Sequence, residues 1–201
     1  MSEIPSKELR VLDAATDVFL RYGFGRTTMG DIAKRARISR PALYLLFPNK
    51  DAIFAAVIRR VDAEKLAKIR AGLGTRQTLS EKLLFACQDW GSHGVELTAA
   101  HPDAADLFDL RFEVVREVYS NFEALIASLV TDTAKASGSA ASPEEIARWM
   151  VYSMRGFRET AADAADQRRL IALQIQILVR ALGFEPNAGP HKCRRRSTRR
   201  Q

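Results

Sequence analysis

Two cysteines in 201 residues, Cys87 and Cys193, lie far apart, and this scarcity excludes a disulfide framework or a metal knuckle. Both read as free thiols of a reducing compartment. The histidines His93, His101 and His191 do not group with cysteine or carboxylate at ligand spacing, so neither a structural metal nor a cofactor is expected. No run of about eighteen uncharged apolar residues occurs, and the opening MSEIPSKELR lacks the apolar stretch of a signal peptide. These absences predict a soluble, cytoplasmic protein with no membrane partner. Phosphate-cradling loops are missing as well: Gly23-Phe-Gly25 is only a turn, and Gly72-Leu-Gly74 has neither the preceding strand nor the later glycine. No serine, cysteine or carboxylate sits in a recognisable nucleophile pattern, which argues against an enzyme. Period-two alternation is almost absent, so strands are not expected.

What is present is apolar content of 47%, enough to bury a core, arranged at helical spacing along nearly the whole chain, as in Val11, Leu12, Ala15, Val18, Phe19 and Tyr22. The chain reads as all-α. Three capping boxes mark helix starts: Thr28 with Asp31, Thr78 with Glu81, and Ser142 with Glu145, the last followed by Pro143 where a missing N–H costs nothing. Helices are expected at about 7–22, 29–36, 40–47, 50–70, 79–98, 103–135, 143–163 and 166–182, the sixth read as a short helix followed by a long one. Gly183 is the expected terminator of the last.

The net charge of +7 is unevenly spread: residues 1–60 carry +5, residues 61–183 carry −3, and residues 184–201 carry +5. Basic ends suggest a polyanionic partner, and the acidic middle a different task. The end, EPNAGPHKCRRRSTRRQ, has turn formers and arginines but almost nothing apolar, and reads as a basic disordered tail over 184–201. It is either a non-specific DNA-binding arm or a solvated tail without a dedicated role.

The most specific signal runs from Thr27 to Phe54. Two short helices are joined by a tight turn and followed by a third; small Ala33 allows close approach, and Ile32, Ala36, Ile38, Leu43 and Phe47 supply a shared core. Ser39 is placed to cap the second helix and Asn49 the following one. In the second helix Leu43, Leu46 and Phe47 share one face, while Arg40 with Tyr44 and Pro41 with Leu45 form pairs on the other. That outward face is free to enter a major groove, which accommodates one α-helix.

These residues, together with Ala14-Ala15, Phe19 and Tyr22-Gly23-Phe24 in the first helix, Thr27-Thr28, Ile32-Ala33, Ile38-Ser39, Leu43-Tyr44 and Phe47-Pro-Asn-Lys50-Asp-Ala52, resemble the DNA-binding domain of the TetR family of transcriptional regulators. The resemblance covers residues 7–66. It implies a three-helix helix-turn-helix DNA-binding domain joined to a helical-bundle domain over 67–183 for effector binding and dimerisation.

On that basis the DNA-contacting residues are Thr27, Thr28, Ser39, Arg40, Pro41, Ala42, Tyr44, Leu45 and Lys50. Thr27 and Thr28 stand at a helix N-terminus, where hydroxyls and free N–H groups suit a phosphate, and Tyr44 and Lys50 match positions that contact phosphates in the family. Arg40 is assigned to base readout, because a guanidinium can bond guanine O6 and N7 bidentately; one more phosphate contact is the alternative. Pro41, Ala42 and Leu45 offer only apolar contact, for which a thymine methyl is the natural partner. Two departures from the family pattern stand out: Arg37 where glycine is frequent in the turn, and Leu46 in place of a polar or aromatic residue.

For the remainder, the family plan implies a homodimer through the last two long helices, and the apolar Ile171, Leu173, Ile175, Ile177, Leu178, Val179 and Leu182 cover more than one face of the last. Two recognition helices would then meet half-sites about 34–36 Å apart on a double-stranded operator. Candidate effector contacts are Trp90, His93, Phe108, Phe112, Tyr119, Trp149, Tyr152 and Arg155, although ordinary core packing accounts for each of them more simply. The resulting function is a repressor released from a palindromic operator by an unknown small-molecule effector. A constitutive or activating regulator without a dedicated effector, an enzyme with an appended DNA-binding head, and a non-specific architectural protein are the competing readings.

Overall fold

The computed structural model describes residues 6–183, except for the side chain of His93. The Arg-rich segment 184–201, with His191 and Cys193, lies outside the described residues. Eight α-helices and one 3-10 segment, with no strand, make up this part: α1 Lys7–Arg26, α2 Met29–Ala36, α3 Arg40–Leu46, α4 Lys50–Leu73, α5 Leu79–Ala100, the 3-10 segment Pro102–Phe108, α6 Glu113–Ser137, α7 Pro143–Thr160 and α8 Ala164–Ala181.

All three expected capping boxes form, at Thr28, Thr78 and Ser142, each with its partner carboxylate on the cap N–H. Helix α1 runs past the expected end by one further turn, across a kink at Gly23, whose φ of 73° no L side chain adopts without strain. The stretch 103–135 is a short helix followed by a long one: a 3-10 segment opened by Pro102, a break at residues 109–112, and the long α6. Gly183 has the left-handed φ of 79° expected of a terminator.

A single apolar core runs from Val11 in α1 to Leu182 beyond α8. Helices α1, α2 and α3 pack around Phe19, Ile32 and Leu43, all essentially inaccessible. Helix α4 crosses residue 66 without interruption: its first half closes the three-helix head, with Ile53 and Phe54 buried, and its second half buries Leu66 and Ile69 against the body. In the body α6 packs on α7 and α5 on α8, while α1 lies against the 3-10 segment. Cys87 is fully buried in α5, and that burial pushes its thiol up to about 12. Among the described residues no single helix is long and apolar enough to cross a membrane.

Candidate functional site

The start of α2 is set by Thr28, whose hydroxyl accepts the Asp31 N–H at 3.2 Å while the Asp31 carboxylate accepts the Thr28 N–H at 2.9 Å. The bond from the Thr28 hydroxyl, then that from its backbone, hold the Asp31 carboxyl below its ordinary value, with Arg40 and Lys34 adding to the effect. Arg37 turns the chain into α3 with φ 56° and ψ 45°, a left-handed conformation that costs a non-glycine residue about 1 kcal/mol. Ser39 then caps α3 by accepting the Ala42 N–H at 3.3 Å.

One side chain, the buried Leu43, pins α3 to the head, and the rest of the helix faces outward. Arg40, Pro41, Tyr44 and Leu45 are exposed, Leu45 by 88%, while Ala42 is half-buried. A leucine held this far into water has no partner among the described residues. The Arg40 guanidinium lies over Gly30 at the start of α2; a Cβ there would bring Arg40 Cζ to 2.9 Å. Glycine at position 30 therefore makes the niche that holds the guanidinium beside the capped N-terminus.

Two expected phosphate contacts take other places. Thr27 is 2% exposed and its hydroxyl donates to the Gly23 carbonyl at 2.6 Å, because it closes the kinked end of α1 rather than opening α2. Lys50 Nζ donates to the Phe24 carbonyl at 2.7 Å and lies 4.2 Å from the centroid of that ring. At the first position of α4 it meets the terminal carbonyls of α1, which have no helical partner, and a cation satisfies one of them. Thr28 and Ser39 are exposed at helix starts as expected, with their hydroxyls engaged as caps.

The head is fastened to the body at several points. Asp106 of the 3-10 segment accepts the Phe24 N–H at 2.9 Å and the Gly25 N–H at 2.8 Å. Arg59 of α4 pairs with both carboxylate oxygens of Glu117 in α6, at 2.8 Å each. Phe112, ahead of α6, packs edge-on to Phe24 and Phe54 at 4.7 and 5.0 Å between centroids.

Beside that junction lies a cavity of about 330 Å³. Trp90, Phe108, Tyr119 and Arg155, four of the eight expected effector contacts, line it together. Phe112 belongs to the aromatic junction instead. Trp149 and Tyr152 are exposed on the outside of α7 and do not reach the cavity, because the inner face of that helix is taken by Ala147, Met150, Val151 and Met154. The side chain of His93 lies outside the described residues.

Sequence reasoning missed two features of this cavity. Its walls include Phe19 and Leu20 of α1 and Phe54 and Val57 of α4, so the head itself forms part of it. It also carries Asp62, 7% exposed, whose Oδ2 accepts from Asn121 Nδ2 at 2.8 Å while Oδ1 has no partner. Burial pushes this carboxyl up, opposed by the Asn121 bond and by Arg70. The spacing Ile58, Asp62, Leu66 puts the acid in a row of apolar residues four apart, the one signal that could have found it.

Residues 11–57 match the family of bacterial regulatory proteins, tetR family. The HTH-type transcriptional regulator RutR of Escherichia coli K12 is 30% identical over 105 residues, which cover 52% of this chain and 47% of that protein. The chain thus spans about half the length of the curated relatives it matches. A TetR-like transcriptional regulator from Rhodococcus sp. RHA1 superposes with a TM-score of 0.60 at 26% identity, covering 88% of this chain and 99% of the other. The FadR regulator of Bacillus subtilis, solved in complex with stearoyl-CoA, shares the fold with a TM-score of 0.60 at 16% identity over 85% of this chain and 97% of the other.

Proposed function

We propose that this chain, which belongs to the tetR family of bacterial regulatory proteins by its N-terminal domain, is a cytoplasmic, non-enzymatic DNA-binding transcriptional regulator. The observation that carries this reading is the outward face of α3, with Arg40, Tyr44 and the 88%-exposed Leu45 on a helix anchored from behind by Leu43. A major groove supplies what that face lacks in the free chain: acceptors for Arg40 and an apolar surface for Leu45.

The regulator works as a homodimer. Trp149 and Tyr152 of α7 and Leu173 and Ile177 of α8 are large apolar side chains left exposed, and a Cβ at Gly156 on α7 would meet nothing. A second copy covering both helices buries this surface and sets two α3 helices on one side of a palindromic operator.

The finer reading is a repressor released by a small molecule. Its support is the cavity, lined by α1 and α4 of the head as well as by α5, α6, α7 and the 3-10 segment, so that an occupant touches the head directly. An effector acts by favouring one of two arrangements of head and body, which requires unequal affinity for them. The Bacillus subtilis fold neighbour was solved in complex with stearoyl-CoA, an amphipathic molecule with a long acyl chain.

Selection of bound fragments from genomic DNA tests the reading. A palindrome-like site preferred about 10³-fold or more over bulk DNA is expected; failure to enrich any such site overturns it. Deleting the gene should raise transcription from the promoter at that site, and a fall would make the protein an activator.

A further inference from the structure

We infer that the cavity takes a ligand with an apolar body and one compact anionic head group, the body in the chamber and the head between Arg155 and Arg158. This rests on reading the helical domain as effector-binding.

The chamber wall is aromatic and aliphatic, with Phe19, Phe54, Trp90 and Tyr119 among its members, so the body it accepts is apolar. Arg155, Arg158 and Phe108 line both this chamber and an adjoining open groove, which places the two arginines at the boundary between them. Arg155 spends its Nε on Glu159 at 3.0 Å, yet its Nη1 is buried without an acceptor among the described residues. Arg158 makes no ion pair among the described residues; its guanidinium lies over the Phe108 ring at 4.7 Å. A buried guanidinium donor left unpaired is costly, and a carboxylate answers it with charge and matching geometry.

The groove beyond sets the size of the head. Asp106, Asp109 and Glu159 line it, so a long polyanionic head extending outward meets like charge, whereas a compact one stops at the arginines. The opposite polarity, a cation on Asp62 Oδ1, is disfavoured because that carboxylate is the one acid among the chamber's described lining residues, against the guanidinium groups of Arg155 and Arg158, while Lys65 is paired with Asp89.

Probes with one tail and three heads test this: dodecanoate, dodecan-1-ol and dodecyltrimethylammonium, titrated below micelle formation into the full-length chain. Trp149→Phe leaves Trp90, in the cavity wall, as the fluorescent reporter. Dodecanoate should bind about tenfold or more tighter than either of the others, the gain expected of charge-assisted bonds. Arg155→Met with Arg158→Met should remove that preference while leaving the alcohol's affinity unchanged, and Arg158→Lys, which keeps the charge, should retain the order. Tightest binding of the ammonium, equal binding of alcohol and carboxylate, or no binding of any probe overturns the inference. Repeating the titrations on the DNA-bound protein separates it from the broader reading. Release of DNA by the alcohol as readily as by dodecanoate sinks the anionic head but leaves an effector site. Preferential dodecanoate binding with unchanged DNA affinity keeps the head assignment and sinks the effector role.

Discussion

The carboxylate of Asp106 accepts the backbone N–H of Phe24 at 2.9 Å across 82 residues of chain, and its second oxygen takes the N–H of Gly25. The kink at Gly23 makes this clasp possible: it frees two amides at the end of α1 and brings them to the 3-10 segment, with no room for a side chain at 23, where a Cβ would lie 2.8 Å from Asp106 Oδ1. Removing the carboxylate leaves both amides without their partner. Asp106→Ala should cost about 1.5–3 kcal/mol in urea unfolding. Hydrogen exchange at Phe24 and Gly25 should quicken while amides within α8 stay protected; unchanged exchange at the two amides would sink the clasp.

Arg37 is the one non-glycine residue with positive φ among those described. Arg37→Gly relieves the left-handed penalty, partly offset by the greater freedom of the unfolded chain, and should stabilise the protein by about 0.5–1 kcal/mol. A lower melting temperature for the variant would show that the arginine side chain contributes more than its backbone costs.

Burial raises the Asp62 carboxyl above its ordinary value of 3.8, so the folded chain binds this proton more tightly than the unfolded one. Below that value both states are protonated and the group is neutral to stability. As pH rises from that value through the raised one, the unfolded chain ionises first and stability is lost, the loss being complete once the folded group has ionised as well. Asp62→Asn keeps an oxygen for Asn121 and removes the charge. The variant should therefore melt higher than the parent at pH 7, with the gap closing toward pH about 4 and below. An equal gap at both pH values would remove ionisation as the cause.

At the proposed DNA face, Arg40→Ala should relax base preference by about 1–3 kcal/mol at one position of each half-site. Tyr44→Phe should weaken binding to all sequences alike. Lys50→Ala should loosen the end of α1, seen as faster exchange at the amides that follow Phe24, because its ammonium is spent on the Phe24 carbonyl. Unaltered base preference in the Arg40 variant would move readout elsewhere on α3.

Local chemistry made the helix starts and the outward face of α3 legible. Thr28, Thr78 and Ser142 announce helix starts because a cap needs only a side chain three residues from its partner, and the outward face of α3 follows from the spacing of Leu43 and Tyr44. The same reasoning misplaced Thr27 and Lys50. Their partners, the Gly23 and Phe24 carbonyls, lie at the end of α1 that the kink at Gly23 shapes, and the Phe24 carbonyl accepts the Thr27 N–H as well as Lys50. Trp149 and Tyr152 share their chemistry with Trp90 and Tyr119, and an aromatic carries no mark of whether its helix turns it inward or outward.

Residue order is enough for an all-α chain, most of its helix boundaries to within a few residues, and a helix-turn-helix with Arg40, Tyr44 and Leu45 on its open face, because these depend on neighbours three or four positions away. That α1 and α4 wall the cavity, that Arg155 and Arg158 stand at its threshold, and that Asp106 holds Phe24 emerge from the packing of the whole chain. Those relationships join residues tens of positions apart, and no local periodicity encodes which of many apolar faces will meet.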